Sequence, residues 1–259
     1  MRLATFNILH GRSLGDGRVD LDRFREAVRA LDADILALQE VDRDQPRSHG
    51  ADLTAVAAEA MGATDHRFVA TMHGEPGVWS AATGDHQPAR SSYGIALLTR
   101  LPVLSWQDLA LPALRGRAPV QFPGARLPAL VRDEARAAVA AVVSTPDGPL
   151  TVAATHLTFI PGWNVVQLRR LVRGLRDRPR PLVLLGDLNI DPRRATQASG
   201  MRSLARAATF PLQSPQRQLD HILGDGAVEA VDGGASFDLG ISDHRALAVD
   251  VRVSPGSPR

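Results

Sequence analysis

"PLVLLGDLNID" occupies residues 181–191. Its first five residues form an unbroken apolar run, the pattern of a buried strand. The rest sets Asp187, Asn189 and Asp191 at the mouth of that strand within five residues. Polar groups at the end of a buried strand stand at the rim of a rigid scaffold, where catalytic groups are commonly displayed. Asp191 is followed by Pro192, which is tolerated at the first position of a helix, so Asp191 reads as a helix cap. Asp187 and Asn189 remain as candidates for chemistry.

Working outward, strands recur to the end of the chain. "RLATFNIL" (2–9) and "DILALQE" (34–40) read as strands, with a helix over 21–31 between them capped by Asp20. A second helix is expected over 52–62, ending at Gly62. Strands follow at 66–72, 93–100 and 103–111. "PDG" joins strands at 135–145 and 150–157 as a hairpin turn. An amphipathic helix over 163–176 precedes the strand at 181–187, and strands at 219–223, 227–232 and 245–253 close the chain. Residues 73–92 and 112–132 read as long loops, the second with four prolines. Hairpins mixed with strand–helix–strand units imply an α/β fold in which two sheets pack together with helices outside. With no Pro/Gly linker dividing the chain, 1–253 is expected to be one domain and 254–259 a loose tail.

Composition narrows the chemistry. At 259 residues and 44% hydrophobic content, the chain can bury a large core. No apolar run is long enough to span a membrane, and no leader pattern is read at the N-terminus, so a cytoplasmic monomer is expected. There is no Cys, which excludes disulfides, thiol nucleophiles and thiolate metal sites. There is also no Lys, so all 30 basic residues are Arg. A formal charge of only +2 beside a pI near 10.1 then reflects missing buffering groups rather than a nucleic-acid patch.

Polar groups cluster at strand ends: Asn7, Glu40, His156, Asp187, Asn189, Asp220, Asp243 and His244. This is the set that metal-assisted hydrolysis needs. A hard cation takes carboxylate and amide oxygens, which Glu40, Asp243 and Asn7 can supply. Asp187 can activate a water, Asn189 can hold it or a phosphate oxygen, and histidines can neutralise growing charge. Asp220 can fix the orientation of His244. Asp16 and Asp85 read as turn residues. His10, His49, His66, His73 and His86 read as solvent-facing or peripheral.

The order "TFNI" (5–8), "LQE" (38–40), "THL" (155–157), "GDLN" (186–189), "LDHI" (219–222) and "SDHRAL" (242–247) resembles the successive motifs of the endonuclease/exonuclease/phosphatase superfamily, over roughly residues 2–253. The resemblance implies a four-layer α/β/β/α sandwich of two mixed sheets, as in DNase I-like proteins. It implies hydrolysis of a phosphoester with Mg2+ or Mn2+. It makes Glu40 the main metal ligand with Asn7 and Asp243 nearby, Asp187 the water activator, and Asn189 its neighbour at the phosphate. His156 and His244 would contact the scissile phosphate, with Asp220 orienting His244. Arg136 and Tyr93 are weaker phosphate-facing candidates.

The substrate is less legible. Abasic-site enzymes of the superfamily usually read L-Q-E-T-K where this chain has "LQEVDRD", and their first motif often carries an acid where this chain has Leu9. These departures favour the bacterial phosphodiesterases and phosphatases acting on a small or lipid-like phosphoester, with a DNA or RNA nuclease as the alternative. Arg115, Arg117, Arg126 and Arg132, around the second loop, could grip phosphates but read more simply as solvated surface.

Overall fold

The computed structural model describes residues 1–82, 90–121 and 126–254. Asp85 and His86 lie outside the described residues, as do parts of both long loops and all of the expected tail beyond Ser254. In chain order the elements are β1 (Arg2–Asn7), α1 (Leu21–Leu31), β2 (Ile35–Arg43), α2 (Leu53–Met61), β3 (Asp65–His73), β4 (Ser80–Ala81), β5 (Ser92–Thr99), β6 (Val103–Leu111), β7 (Arg117–Val120) and β8 (Ala129–Arg132). Then come β9 (Arg136–Thr145), β10 (Gly148–His156), α3 (Trp163–Gly174), β11 (Leu182–Asp187), α4 (Pro192–Ser199), β12 (Arg202–Ser203), β13 (Asp220–Asp225), β14 (Val228–Ala230), β15 (Ala235–Phe237) and β16 (Ala246–Val253).

Two mixed sheets form the body. The first runs β14-β16-β1-β2-β5-β3-β4, with β15 on β16; the second runs β12-β13-β11-β10-β9-β6. Each contains one parallel pair, β1 with β2 and β10 with β11. Both pairs are joined through a helix, as a parallel crossover requires. Leu3, Ile35 and Leu97 of the first sheet meet Val139, Val152 and Val183 of the second in the central core. On the outer face of the first sheet, Phe6, Leu36 and Leu98 pack against Phe24 and Leu31 of α1 and Leu53 of α2. On the outer face of the second, Ala153 and Leu184 pack against Leu168 and Leu171 of α3. Neighbouring residues such as Ile35 and Leu36 thus point into different cores. With both faces covered, the central strands read as continuous apolar runs. The four-layer sandwich expected from the motifs is the observed architecture.

Local chemistry sets the helix ends as expected. Asp20 Oδ1 accepts the backbone N–H groups of Asp22 and Arg23. Asp191 Oδ1 accepts that of Arg194. Several boundaries differ. β1 stops at Asn7 rather than Leu9, because Asn7 Oδ1 accepts the Leu9 N–H at 3.2 Å and Leu9 and His10 turn to positive φ. β2 continues past Glu40 to Arg43 through a bulge. The stretch 112–132 is not simply a loop: β7 and β8 pair as an antiparallel ribbon, and Ala118 and Val120 pack on Ile160 and Trp163. Its prolines suggested a loop, yet a two-stranded ribbon has only edge strands, where Pro119 costs little pairing. The short β4, within the other expected loop, pairs with the end of β3. Pairing with a neighbour, not local pattern, creates the short β12 and β15.

Candidate active site

The site lies where one end of each sheet meets the other. Register places the second-sheet groups side by side: His156 is opposite Asp187 on β10 and β11, and Asp187 is opposite Asp220 on β11 and β13. Asn7 and Glu40 come from β1 and β2 in the first sheet, and Asp243 and His244 from the turn before β16. Gly186 makes the His156–Asp187 placement possible. Its φ is +147°, and a Cβ there would lie 2.0 Å from the Thr155 carbonyl oxygen. Glu40 sits at the bulge of β2 with φ 58°, which turns its side chain out of the strand's alternation. Ser242 locks the last motif: its Oγ donates to the Asn7 carbonyl at 2.6 Å and accepts the His244 N–H at 3.1 Å.

Asp187 is the hub. Its Oδ2 accepts from Asn7 Nδ2 at 3.1 Å and lies 3.5 Å from His156 Nε2 and 3.8 Å from His244 Nε2. Its Oδ1 accepts the Asn189 N–H at 3.0 Å. Burial, and then the charge of Asp220, push its pKa up to about 7, against the pull of His244, Asn7 and Asn189.

The two histidines beside it are driven apart. Burial holds His156 well below the ordinary imidazole value, and the Arg136 and His244 cations add to this. Arg136 Nη1 lies 3.1 Å from His156 Nδ1. A guanidinium can only donate, so Nδ1 accepts and the ring proton sits on Nε2, facing Asp187. Burial also opposes a charge on His244, but Asp220, Asp187 and Asp243 outweigh it and raise its pKa to about 10. His244 Nδ1 donates to Asp220 Oδ2 at 2.8 Å, and its ring rests 4.9 Å from that of Phe210. Near neutral pH Asp187 itself titrates, between a ring that burial keeps from charging and one that neighbouring acids keep charged, an arrangement suited to moving protons.

On the first-sheet side, burial raises the pKa of Glu40; the Asn7 hydrogen bond lowers it, and the charge of Asp243 raises it further. Asn7 Nδ2 donates to Glu40 Oε1 at 3.1 Å as well as to Asp187. The amide bridges the acids with its nitrogen, while its oxygen faces Leu9. Asn189, with φ 51°, donates from Nδ2 to the Leu157 carbonyl at 3.1 Å, and Asn164 Nδ2 donates to its carbonyl at 2.7 Å. Arg136 is buried against His156 and also reaches Glu134 at 3.3 Å. Tyr93 stands at the edge of the group, where burial and then Glu40 push its hydroxyl well above the ordinary value.

Some expectations about peripheral groups need correction. His73 is buried, with Nδ1 3.1 Å from Ser92 Oγ, because β3 brings it under β5. His10 is half-buried, and burial, then the Arg47 and Arg12 charges, lower its pKa to about 4. Asp16 takes its turn role and also pairs with Arg23 at 3.0 Å. Arg115, Arg117, Arg126 and Arg132 are exposed. One neighbouring group escaped the sequence analysis: Arg47, paired with buried Asp42 and lying near the rings of Trp79 and Tyr93. Only the run "DRDQPRS" after Glu40 hints at it.

Comparison with known proteins follows the geometry. The sequence model of the endonuclease/exonuclease/phosphatase family matches residues 4–244. No curated protein matches the chain. Among solved structures, the chain is similar to an endonuclease/exonuclease/phosphatase from Beutenbergia cavernae DSM 12333, with 26% identity and a TM-score of 0.69 over 98% of this chain and 72% of that one. It is also similar in fold to the mannosyl-6-phosphatase Bt3783 of Bacteroides thetaiotaomicron VPI-5482, with 16% identity and a TM-score of 0.62 over 97% and 99% of the two chains. The human Nocturnin catalytic domain shares the fold at 18% identity and a TM-score of 0.60, covering 98% of this chain and 94% of that one.

Proposed function

The chain belongs to the endonuclease/exonuclease/phosphatase family, and from that premise we propose that it hydrolyses a small phosphoester with the help of a divalent cation and an Asp187-activated water. The observation that carries this reading is the placement of Asp187 Oδ2 3.5 Å from His156 Nε2 and 3.8 Å from His244 Nε2, with burial disfavouring charge on the first ring and neighbouring acids outweighing burial on the second. Deprotonated Asp187 takes a proton from the attacking water. Neutral His156 offers its Nε2–H, and protonated His244 its Nε2–H, to oxygens of the phosphate. Charge that grows there is met by donors already in place, so little reorganisation is needed. Asp220 keeps His244 charged and aimed, and Asn189 lines the same edge.

The donor set fits a hard cation. Burial and the charge of Asp243 raise the cost of ionising Glu40, and a bound cation would relieve it. Carboxylate oxygens in the absence of thiolates suit Mg2+ or Mn2+. Glu40 would hold the ion, with Asp243 and Asn7 beside it, and the ion would polarise a phosphoryl oxygen and stabilise the leaving oxygen. One potential ligand atom from each of Asp187, Asp220 and His244 also lie within 4.8 Å of one another. The His244 and Asp220 atoms already bond each other, which favours proton handling for that trio.

The test is a substrate panel with Mg2+ and Mn2+ compared: bis(p-nitrophenyl) phosphate, sugar and inositol phosphates, sphingomyelin, and plain and abasic DNA. Metal-stimulated hydrolysis of a small or lipid phosphoester, lost in Glu40→Gln, supports the proposal. Cleavage confined to nucleic acid selects the nuclease alternative. No metal-stimulated hydrolysis, with Glu40→Gln indistinguishable from wild type, overturns both.

A further inference from the structure

A second cationic group stands beside the site and has no task in the hydrolytic scheme. Arg47 lies in the short 3-10 turn Pro46–Ser48 after β2. Its Nε and Nη2 each donate to the Asp42 carboxylate at 2.7 Å, and Ser48 Oγ donates to the same group at 3.2 Å. Asp42 is fully buried, whereas the Arg47 side chain keeps 30% of its surface exposed. Two adjacent aromatic rings line one side of the guanidinium: its Cζ is 5.7 Å from the Trp79 ring and 5.6 Å from the Tyr93 ring. Those rings are 5.8 Å apart and tilted by 45°.

This geometry leaves one edge of Arg47 open. Asp42 occupies the edge formed by Nε and Nη2. The other edge, Nη1 with the second N–H of Nη2, has no acceptor among the described residues. A buried carboxylate needs a cation, but it needs neither an aromatic pair beside that cation nor an unused pair of parallel donors. A planar pair of N–H groups matches the oxygens of a phosphate, and the fork to Asp42 removes the side-chain freedom that binding would otherwise cost. The charge of Arg47 also reaches the site: Glu40 and Tyr93 both act on Arg47, and Arg47 in turn on His10. The charges of Glu40, Arg136 and Arg47 all act on the Tyr93 hydroxyl.

We propose that Arg47, held by Asp42 and packed beside Trp79 and Tyr93, binds a second phosphate on the molecule whose ester is cleaved. The inference rests on the phosphoester-hydrolase reading and deepens it: the preferred substrates carry two phosphates.

Substrate pairs differing by one phosphate test this. A sugar arm compares glucose 6-phosphate with glucose 1,6-bisphosphate, and a nucleoside arm compares adenosine 5′-monophosphate with adenosine 3′,5′-bisphosphate. Wild type is expected to prefer the bisphosphate in at least one arm by about tenfold in kcat/KM, mostly through KM, the size of one good charged contact. Arg47→Gln should remove that preference, and its loss on the monophosphate should be smaller. Because Arg47→Gln leaves Asp42 buried without its cation, the Asp42→Asn/Arg47→Gln pair is measured too, with thermal unfolding confirming that each variant folds. Calorimetric binding of both bisphosphates without added metal gives a readout that needs no turnover. Failure of every substrate to hydrolyse sinks the hydrolase reading, while binding that depends on Arg47 would still uphold the subsite. Equal kcat/KM within both pairs, or bisphosphate binding that survives loss of Arg47, overturns the inference.

Discussion

Asn7 Nδ2 lies 3.1 Å from Asp187 Oδ2 and 3.1 Å from Glu40 Oε1, so one amide ties the end of β1 in the first sheet to the end of β11 in the second. The residues are 180 positions apart in sequence. The bond does two things: it aligns two acids of different task, and it favours the ionised form of both.

Asn7→Asp would remove both donations and add a third negative charge. Asp187 should then titrate above its value of about 7. The acidic limb of the kcat/KM profile should move to higher pH, and stability at neutral pH should fall by about 1–3 kcal/mol as buried acceptors lose their donor. A pH–rate series with denaturant unfolding reads both; an unmoved acidic limb would show that Asn7 does not govern Asp187.

Asp220→Asn keeps an acceptor for His244 Nδ1 but removes the charge that holds the ring protonated. The His244 pKa should drop from about 10, and kcat should fall by on the order of 10²–10⁴. Imidazole NMR shifts against pH measure the first, and steady-state kinetics the second. A kcat loss with unchanged His244 titration would point to a packing defect instead.

The wild-type pH dependence has a definite sign. His244 titrates higher folded than unfolded, so its contribution to stability is full below pH 6.5 and is lost as pH rises through about 10. Asp187 is raised as well, but it is an acid. Its protonated form is favoured by folding, so its contribution is present below pH 3.8 and is lost as pH rises through about 7. Metal-free stability should therefore decline between about pH 3.8 and 7 through Asp187, and between about 6.5 and 10 through His244. Activity needs Asp187 ionised and His244 protonated, so it should rise near pH 7 and fall near pH 10. Bound cation should pull the acidic limb lower. Thermal melts and kcat/KM across pH 5–11 would check this; activity still climbing beyond pH 10 would show that a protonated His244 is not needed.

Gly186→Ala would drive a methyl into the Thr155 carbonyl, 2.0 Å away, at a backbone angle that disfavours any side chain. The β10–β11 pairing and the His156–Asp187 juxtaposition should both suffer, with a loss of about 3–5 kcal/mol or failure to fold. Soluble yield and urea unfolding report it, and a variant of wild-type stability would contradict the close approach of the strands.

Much of this was legible in sequence, and the legible parts share a cause. "PLVLLGDLNID" shows its strand by continuous apolarity and its turn by Asp and Asn. Asp20 and Asp191 announce helices because capping bonds span only two or three residues. The order of strand-end polar groups carries the family resemblance, and with it the sandwich. What was not legible depends on partners distant in sequence. The ribbon β7–β8 exists because its strands pair with each other and cover Ile160 and Trp163. His73 is buried because β3 lies beside β5.

The long strands, the capped helix starts and the polar groups at or near strand ends are encoded locally, by periodicity and short-range hydrogen bonds, and could be read from the sequence. Tertiary packing sets the rest: Asp187 meets Asn7 across two sheets, burial disfavours charge on His156 while nearby acids favour it on His244, and Arg47 packs beside the adjacent rings of Trp79 and Tyr93. Those outcomes depend on burial and on charges brought together from remote segments, and a protonation state follows the surroundings of a residue rather than its identity.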